Sequence, residues 1–184
     1  SQMRAELLEA VLQAGQEARV LVLTGAGRAF CSGQDLQDAG DLDRLDLEAV
    51  LNAEYVPLLM AISDCPVPVI AAVNGVAAGA GANLALAADV VIAADSASFI
   101  QAFTRIGLVP DAGGSYWLPR QIGMARAMGA MLFAEKVTAA QAAAQADALC
   151  ARHGLAGQPL DQRPAQSIIS ILFGQLPQAM QMIG

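Results

Sequence analysis

PVIAAVNGVAAGAGANLALAADVVIAADSASF, residues 68–99, joins two β-branched runs through a loop built almost wholly of Gly and Ala. The first run, 69–73, predicts a buried strand, the segment 80–88 predicts a helix, and 89–94 predicts a second strand. Because Gly and Ala leave the backbone open to close approach by a ligand, the loop is expected to bind that ligand through backbone N–H groups. The stretch therefore predicts a backbone-built anion site.

Helical and strand patterns continue on both sides of this stretch. Residues 19–24, RVLVLT, predict a short buried strand, and a loop rich in Gly, Ser and Asp follows from 25 to about 43. Strands separated by helices predict parallel pairing, because a parallel connection needs a crossover of roughly a dozen residues or more. The fold class is therefore α/β. The segments with helical spacing are 3–16, 47–63 with an expected kink at Pro57, 114–122, 125–133, 139–152 and 165–182.

Composition and charge limit the class of protein. With 184 residues, 55% of them hydrophobic and 15% charged, the chain predicts one globular domain with a substantial core. No uncharged span approaches the roughly 20 apolar residues of a membrane helix, and no signal peptide is expected. A net charge of −7 argues against nucleic acid as the main partner, since phosphate binding needs a basic surface. Three separated cysteines without a CxxC pair favour reduced thiols and a cytoplasmic location.

The motifs argue against several common enzyme sites. GAGRAF, residues 25–30, lacks the third glycine of a dinucleotide fingerprint and is followed by CSGQD rather than by a helix. The sequence contains no P-loop motif and no GxSxG motif. The single histidine, His153, favours a surface role over a catalytic triad. One histidine and scattered cysteines also predict no metal site.

Carboxylates remain as chemical candidates, and Asp111 is the most informative of them. It follows Pro110 and precedes Gly113 and Gly114, just before the segment SYWLPR. One interpretation is an N-terminal helix cap, which would also stabilise the helix dipole. The other interpretation is a reactive acid or base. The residues alone leave both interpretations open.

Three ordered segments resemble the crotonase (enoyl-CoA hydratase/isomerase) superfamily: FCSGQDL at 30–36, VNGVAAGAGANLALAADVVIAA at 73–94 and IGLVPDAGGSYWLPRQIGMARAMG at 106–129. The resemblance implies a spiral of ββα units with C-terminal helices. It implies a core over 1–144, without the customary N-terminal strands, and a helical region over 145–184. It also implies homotrimers or dimers of trimers that bind acyl-CoA thioesters, with coenzyme A as part of the substrate and no separate cofactor.

The same resemblance assigns roles to five residues. The two backbone N–H donors of the family's oxyanion hole fall on Gln34 and Ala80. The two glutamates with which family members hydrate double bonds align with Asn83 and Phe103, so that machinery is missing. Asp111 falls where isomerase members, and also the chlorobenzoyl-CoA dehalogenases, place a reactive aspartate. A single carboxylate suits proton transfer from one carbon to another, and the apolar Phe103 is expected to raise the pKa of Asp111.

Three residues have two interpretations each. Asn83 is expected on the helix face that carries Ala80, where it either reaches the substrate pocket or packs. Trp117 either lines an aromatic acyl pocket or belongs to the core. Arg28 either meets a phosphate of coenzyme A or is a solvated loop residue.

Within the superfamily, the three segments are most similar to the 1,2-epoxyphenylacetyl-CoA isomerases of phenylacetate degradation. The expected reaction is isomerisation through a thioester enolate, either of a ring epoxide to an oxepin or of a 3-enoyl to a 2-enoyl thioester. Hydratase-like and aryl-CoA dehalogenase-like enzymes remain alternatives. A subunit that binds acyl-CoA without turnover is a third.

Overall fold

The computed structural model describes residues 2–35, 46–152 and 172–173, with side chains as far as residue 145. The helices are α1 (Gln2–Glu17), α2 (Leu47–Val50), α3 (Val56–Ser63), α4 (Ala80–Leu86), α5 (Gly114–Ile122), α6 (Met124–Phe133) and α7 (Ala139–Arg152), with a π-helical turn at Leu51–Tyr55 and a 3-10 turn at Ala102–Ile106. The strands are β1 (Leu21–Thr24), β2 (Ala29–Cys31), β3 (Val69–Val73), β4 (Val76–Ala78), β5 (Val90–Ala93), β6 (Ser98–Ile100), β7 (Val137–Thr138) and β8 (Leu172–Phe173).

The first six strands alternate between two four-stranded sheets. The first sheet has the order β1-β3-β5-β8, and all of its pairs are parallel. The second sheet has the order β2-β4-β6-β7 and is parallel except for the last pair. Each ββα unit therefore adds one strand to each sheet. The predicted α/β class, the parallel pairing and the spiral of ββα units are confirmed.

β3 lies inside the first sheet and forms the centre of the core. Val69 and Val73 at its two ends are completely buried. They belong to the same apolar cluster as Val11 of α1 and Leu58 and Ile62 of α3. A strand covered on both faces has no polar side to alternate with, which explains why β3 is a continuous apolar run in the sequence.

The short strands of the second sheet were not predicted. β2 lies in the segment predicted as a loop, β4 lies in the Gly/Ala loop, and β6 lies where no element was predicted. β2, β4 and β6 have three residues each, too few to display a period in the sequence. They form because their backbone groups pair with neighbouring strands, as Ala78 does in register with Ile100.

The disturbance expected at Pro57 takes the form of a π-helical turn directly before it. The backbone N–H of Val56 donates to the carbonyl oxygen of Leu51, five residues back. Pro57 lies in the first turn of α3, where its missing N–H costs least. The side chains of the turn, among them Glu54 and Tyr55, therefore point in directions that differ from those in a regular α-helix.

The predicted helix over 165–182 is wrong at Leu172–Phe173, which form β8. These two residues pair in parallel with β5. The pairing satisfies backbone N–H and C=O groups of β5 that a helix in this place would leave without partners. The rest of that segment and His153 lie outside the described residues, and the boundary at 144/145 stays a prediction. Among the helices that the structure describes, none has the length and hydropathy needed to span a membrane.

Candidate active site

The carboxyl ends of three parallel strands meet at one edge of the second sheet. The register aligns Cys31 of β2 with Ala77 of β4, and Ala78 of β4 with Ile100 of β6. The segments that leave these strands therefore begin side by side, at the edge where parallel α/β sheets bind ligands. They carry Gln34, Ala80 and Phe103.

Two glycines let the first two of these segments touch. Gly33 has a φ of +88° and Gly79 a φ of +52°, values that favour glycine. A Cβ atom added to Gly33 would lie 2.9 Å from the carbonyl oxygen of Ala78 and 3.3 Å from the nitrogen of Ala80. α4 begins at Ala80, and the N–H groups of a first helical turn have no partner within the helix. The backbone donors predicted at Gln34 and Ala80 are thus on adjoining segments.

A cavity of about 260 Å³ lies at this edge of the sheet. Its wall includes Gln34 and Ala80, together with Phe103 and Asp111. Of the described residues that line it, Asp111 is the only carboxylate. Further lining residues are apolar: Leu47, Val50, Leu51, Ile106 and Leu108. One acid therefore faces the predicted oxyanion donors across a largely apolar space.

The environment of Asp111 favours its protonated form. Burial raises the pKa of the Asp111 carboxyl, and a hydrogen bond from its own backbone N–H partly opposes the rise. Its Oδ1 atom is buried without a hydrogen-bond partner among the described residues. α5 begins after Gly113 without a side-chain cap, so the interpretation of Asp111 as a helix cap is wrong. A carboxyl with a raised pKa is better matched to accept and return a proton near neutral pH.

Asn83 and Gln101 form a chain of hydrogen bonds that ends on the backbone of Asp111. Nδ2 of Asn83 donates to the backbone carbonyl oxygen of Asp111 at 2.8 Å. Nε2 of Gln101 donates to Oδ1 of Asn83 at 2.7 Å. Asn83 is completely buried, and Gly114 packs so closely against its amide that a Cβ would not fit. Asn83 is not among the described residues that line the cavity, and its place in the substrate pocket stays a prediction.

A comparison with known protein families completes this description. Residues 1–146 match the family model for enoyl-CoA hydratase/isomerase. The chain belongs to the enoyl-CoA hydratase/isomerase family. The matched region contains Asp111 and the three segments that follow β2, β4 and β6. The resemblance seen in the three sequence segments is therefore confirmed.

Curated relatives carry two different activities in their names. A probable enoyl-CoA hydratase of Rhodobacter capsulatus is 71% identical over 141 residues, which cover 77% of this chain and 54% of that protein. The 1,2-epoxyphenylacetyl-CoA isomerase of Escherichia coli K12 is 50% identical over 147 residues, which cover 77% and 56%. This chain thus spans a little over half the length of these relatives.

Solved structures of the enoyl-CoA hydratase/isomerase family share the fold. The crystal structure of enoyl-CoA hydratase from Bacillus anthracis matches with a TM-score of 0.70 at 37% identity. The match covers 78% of this chain and 57% of that chain. The fold of this chain is therefore that of solved members of the family.

Trp117 and Arg28 lie apart from the described cavity wall. Trp117 packs against both apolar clusters of the core, and its ring meets the Tyr116 ring edge-on with centroids 4.7 Å apart. These contacts favour the core interpretation of Trp117. Arg28 is exposed between β1 and β2, and its contact with coenzyme A stays a prediction.

The described wall holds one cation, Arg105, which sequence reasoning missed. Its Nη2 atom donates to the carbonyl oxygen of Ala134 at 2.7 Å, and the residue is exposed. Arg105 could therefore meet an anionic group of a ligand. Potential metal ligands do not gather anywhere among the described residues in groups of three or more.

Sequence reasoning also missed a polar cluster behind Gln34. It consists of Arg4, Glu54 and Tyr55. Arg4 donates to Glu54 and Tyr55, and both Arg4 and Tyr55 donate to Gln34. A signal was present in the sequence, because Arg4 lies four and seven positions before Leu8 and Val11 on the apolar stripe of α1. A charged residue on such a stripe indicates a buried partner.

Proposed function

We propose that the chain is an acyl-CoA isomerase that works through a thioester enolate. The observation that carries the proposal is the single carboxylate, Asp111, on a described cavity wall that also includes Gln34 and Ala80. Isomerisation moves a proton between two atoms of one molecule, for which one carboxylate is enough. Asn83 and Phe103 stand where the resemblance expects the two glutamates of a hydratase, and neither can activate a water molecule.

The reaction begins when the Asp111 carboxylate takes a proton from the carbon next to the thioester carbonyl. The electron pair of the broken C–H bond moves onto the carbonyl oxygen, and the backbone N–H groups of Gln34 and Ala80 stabilise the enolate by hydrogen bonds. The protonated Asp111 then returns the proton at another carbon, or assists opening of an epoxide. Coenzyme A enters and leaves as part of the substrate, and the reaction needs no other cofactor.

The substrate best supported is an aryl epoxide thioester, 1,2-epoxyphenylacetyl-CoA, which would rearrange to oxepin-CoA in phenylacetate degradation. The 50% identity to an isomerase of that name supports this assignment. A shift of the double bond from 3-enoyl-CoA to 2-enoyl-CoA uses the same enolate. Both reactions fit a cavity with apolar walls and one acid.

Substitution of Asp111 by asparagine tests the assigned base. Asp111→Asn keeps the shape of the side chain but cannot accept the proton, so turnover is expected to fall by at least about 10²- to 10⁴-fold. The Kd of a non-reacting acyl-CoA, measured by calorimetry, is expected to stay within a few-fold. Asp95→Asn, at an exposed turn outside the cavity, is the matched control and should keep full turnover. Retained activity in Asp111→Asn would overturn the assignment.

Product analysis separates isomerisation from its alternatives. The 71% identity to a probable enoyl-CoA hydratase makes hydration the second candidate. A panel of aryl epoxide, 3-enoyl, 2-enoyl and halobenzoyl thioesters is incubated with the protein and analysed by chromatography and mass spectrometry. An isomer of unchanged mass is expected. A product heavier by one water would favour a hydratase, and an aryl ester on Asp111 a dehalogenase. Ligand-induced thermal stabilisation without any product would favour a binding subunit.

A homotrimer or a dimer of trimers is proposed for the assembly. Four large apolar side chains of α6 are exposed in the single chain, and such a patch is typical of a protein–protein contact. They are Met124, Met128, Leu132 and Phe133. Sedimentation equilibrium measures the state of assembly directly, and a monomer at micromolar concentration would contradict the proposal.

A further inference from the structure

Arg4 is a buried cation whose guanidinium contacts three side chains beside the candidate oxyanion site. Only 6% of its surface is exposed. Its Nε and Nη2 atoms contact Oε2 of Glu54 at 2.8 and 2.7 Å. Its Nη1 atom donates to Oε1 of Gln34 at 2.7 Å and to the hydroxyl of Tyr55 at 3.0 Å. The guanidinium also lies over the Tyr55 ring, 4.4 Å from its centroid.

These contacts converge on the side chain of Gln34. The Tyr55 hydroxyl donates to the same Oε1 atom of Gln34 at 2.9 Å, so this one oxygen accepts from both Arg4 and Tyr55. An amide oxygen with both lone pairs used has little freedom to rotate. The side chain is therefore held from two directions.

The π-helical turn explains how the partners reach Gln34. Glu54 and Tyr55 are neighbours within Leu51–Tyr55, and both point their polar atoms toward Arg4. Interruptions of this kind in helices occur frequently at functional sites. Tyr55 also lines the cavity that contains Asp111, and burial together with the Asp111 charge raises the pKa of its hydroxyl against the effect of Arg4. The cluster thus adjoins the cavity directly.

We infer that Arg4 is a positioning residue of the oxyanion site, which fixes the backbone N–H of Gln34 through the Gln34 side chain. The inference deepens the proposed function and rests on it. A donor stabilises a developing oxyanion only when it is held at hydrogen-bond distance from the final position of the oxygen. Gly33, which precedes Gln34, has no side chain that could form hydrogen bonds, so we assign this part of the restraint to the Gln34 side chain and its two donors.

The test begins with Arg4→Met, which keeps the length and apolar stem of the side chain but removes its hydrogen bonds. We expect kcat to fall roughly 10- to 100-fold, because small misplacement of a catalytic group has effects of this size, while KM changes much less. Arg4→Lys, which restores a charge but not the fork of donors, should recover part of the loss. Gln34→Leu keeps the backbone N–H and should reproduce the Arg4→Met effect. The double variant should be hardly worse than either single variant.

A spectroscopic readout separates this inference from the proposed reaction. Phenylacetyl-CoA labelled with ¹³C at the thioester carbonyl is bound without turnover, and infrared difference spectra report its C=O stretch. Donation from Gln34 and Ala80 is expected to lower the stretch in the wild-type protein. In Arg4→Met the stretch should move back toward its value in water.

Val11→Ala is the matched control for stability. Val11 is buried in the same helix, and its loss weakens packing without touching Gln34. We expect Val11→Ala to lower the melting temperature but to leave kcat and the C=O stretch unchanged. An Arg4→Met protein with wild-type kcat and stretch would overturn the inference. If the wild-type protein isomerised no substrate, but the stretch still depended on Arg4, the isomerase proposal would fail and the positioning role would stand.

Discussion

At the scale of single residues, the burial of the Asp111 carboxyl is unfavourable for its ionised form but favourable for its role as a base. Its carboxyl lies in a largely apolar wall, and its Oδ1 atom is buried without a partner among the described residues. Ionisation in such a place is unfavourable, which is the physical cause of the raised pKa. The same property favours the group as a base, because a carboxylate with a raised pKa binds the proton that it accepts more tightly.

The raised pKa of Asp111 predicts a pH-dependent gain in stability for Asp111→Asn. Between the ordinary pKa of aspartate and the raised pKa of the folded protein, the folded state binds more protons than the unfolded state. The stability contributed by Asp111 is therefore present below the unfolded pKa and is lost as the pH rises through the folded pKa. Asp111→Asn should consequently melt at a higher temperature than the wild type at neutral pH, and the difference should shrink in acid. Thermal melts at a series of pH values measure this. Equal melting temperatures at neutral pH would mean that the carboxylate is not destabilised.

At the scale of elements, the site depends on the contact between the segments that follow β2 and β4. Gly33 makes that contact, with the Ala78 carbonyl oxygen and the Ala80 nitrogen close to where its Cβ would be. The positive φ values of Gly33 and Gly79 aim the two segments toward the same cavity. The conformations of these two glycines therefore bring the Gln34 and Ala80 segments together.

Replacement of Gly33 by alanine should separate the two donor segments. A Cβ at 2.9 Å from a backbone oxygen forces the backbone to move, so we expect Gly33→Ala to lower kcat by at least about tenfold through the oxyanion donors. Gly27→Ala is the matched control, since Gly27 also has a positive φ but has open space around its Cβ. Both variants should lose about 1–2 kcal/mol of stability from backbone strain. Steady-state kinetics and urea unfolding measure the two effects, and equal kcat values in both variants would contradict the prediction.

At the scale of the whole molecule, one described apolar cluster includes residues of both sheets, among them Val69 of β3 and Ala77 of β4. Ala82 and Ala85 of α4 belong to the same cluster. α4 begins at the cavity and ends in the core, so packing of the core determines the position of Ala80. Stability of the core and geometry of the site are therefore linked through rigid elements.

Leu58 of α3 provides a measure of this core. It is 2% exposed, so Leu58→Ala is expected to cost about 2–5 kcal/mol in the free energy of unfolding. Met60→Ala, in the same helix at a side chain that is 53% exposed, should change it by less than about 0.5 kcal/mol. Urea titrations followed by circular dichroism give both values. Similar urea midpoints for the two variants would show that the buried face of α3 contributes little to the stability of the core.

Prediction from sequence succeeded where a local pattern reports a local environment. β3 and α7 were predicted within their observed bounds, because an unbroken apolar run and a long helical spacing are visible without the rest of the chain. β4 and β6 were missed because three-residue strands are stabilised by their partners and not by their own composition. Arg4 was missed because its partners are distant in sequence, 30 to 51 residues away.

By itself, the sequence determined the α/β class, the parallel pairing and the family, because these follow from periodicity and from motifs that are contiguous in the chain. It also indicated Asp111 and the two backbone donor positions through that resemblance. Only the tertiary structure decided that Asp111 is not a helix cap, that Asn83 donates to the backbone of Asp111, and that Arg4 reaches Gln34. Burial and hydrogen-bond partners arise from contacts between distant segments, and these exist only once the two sheets bring the segments together.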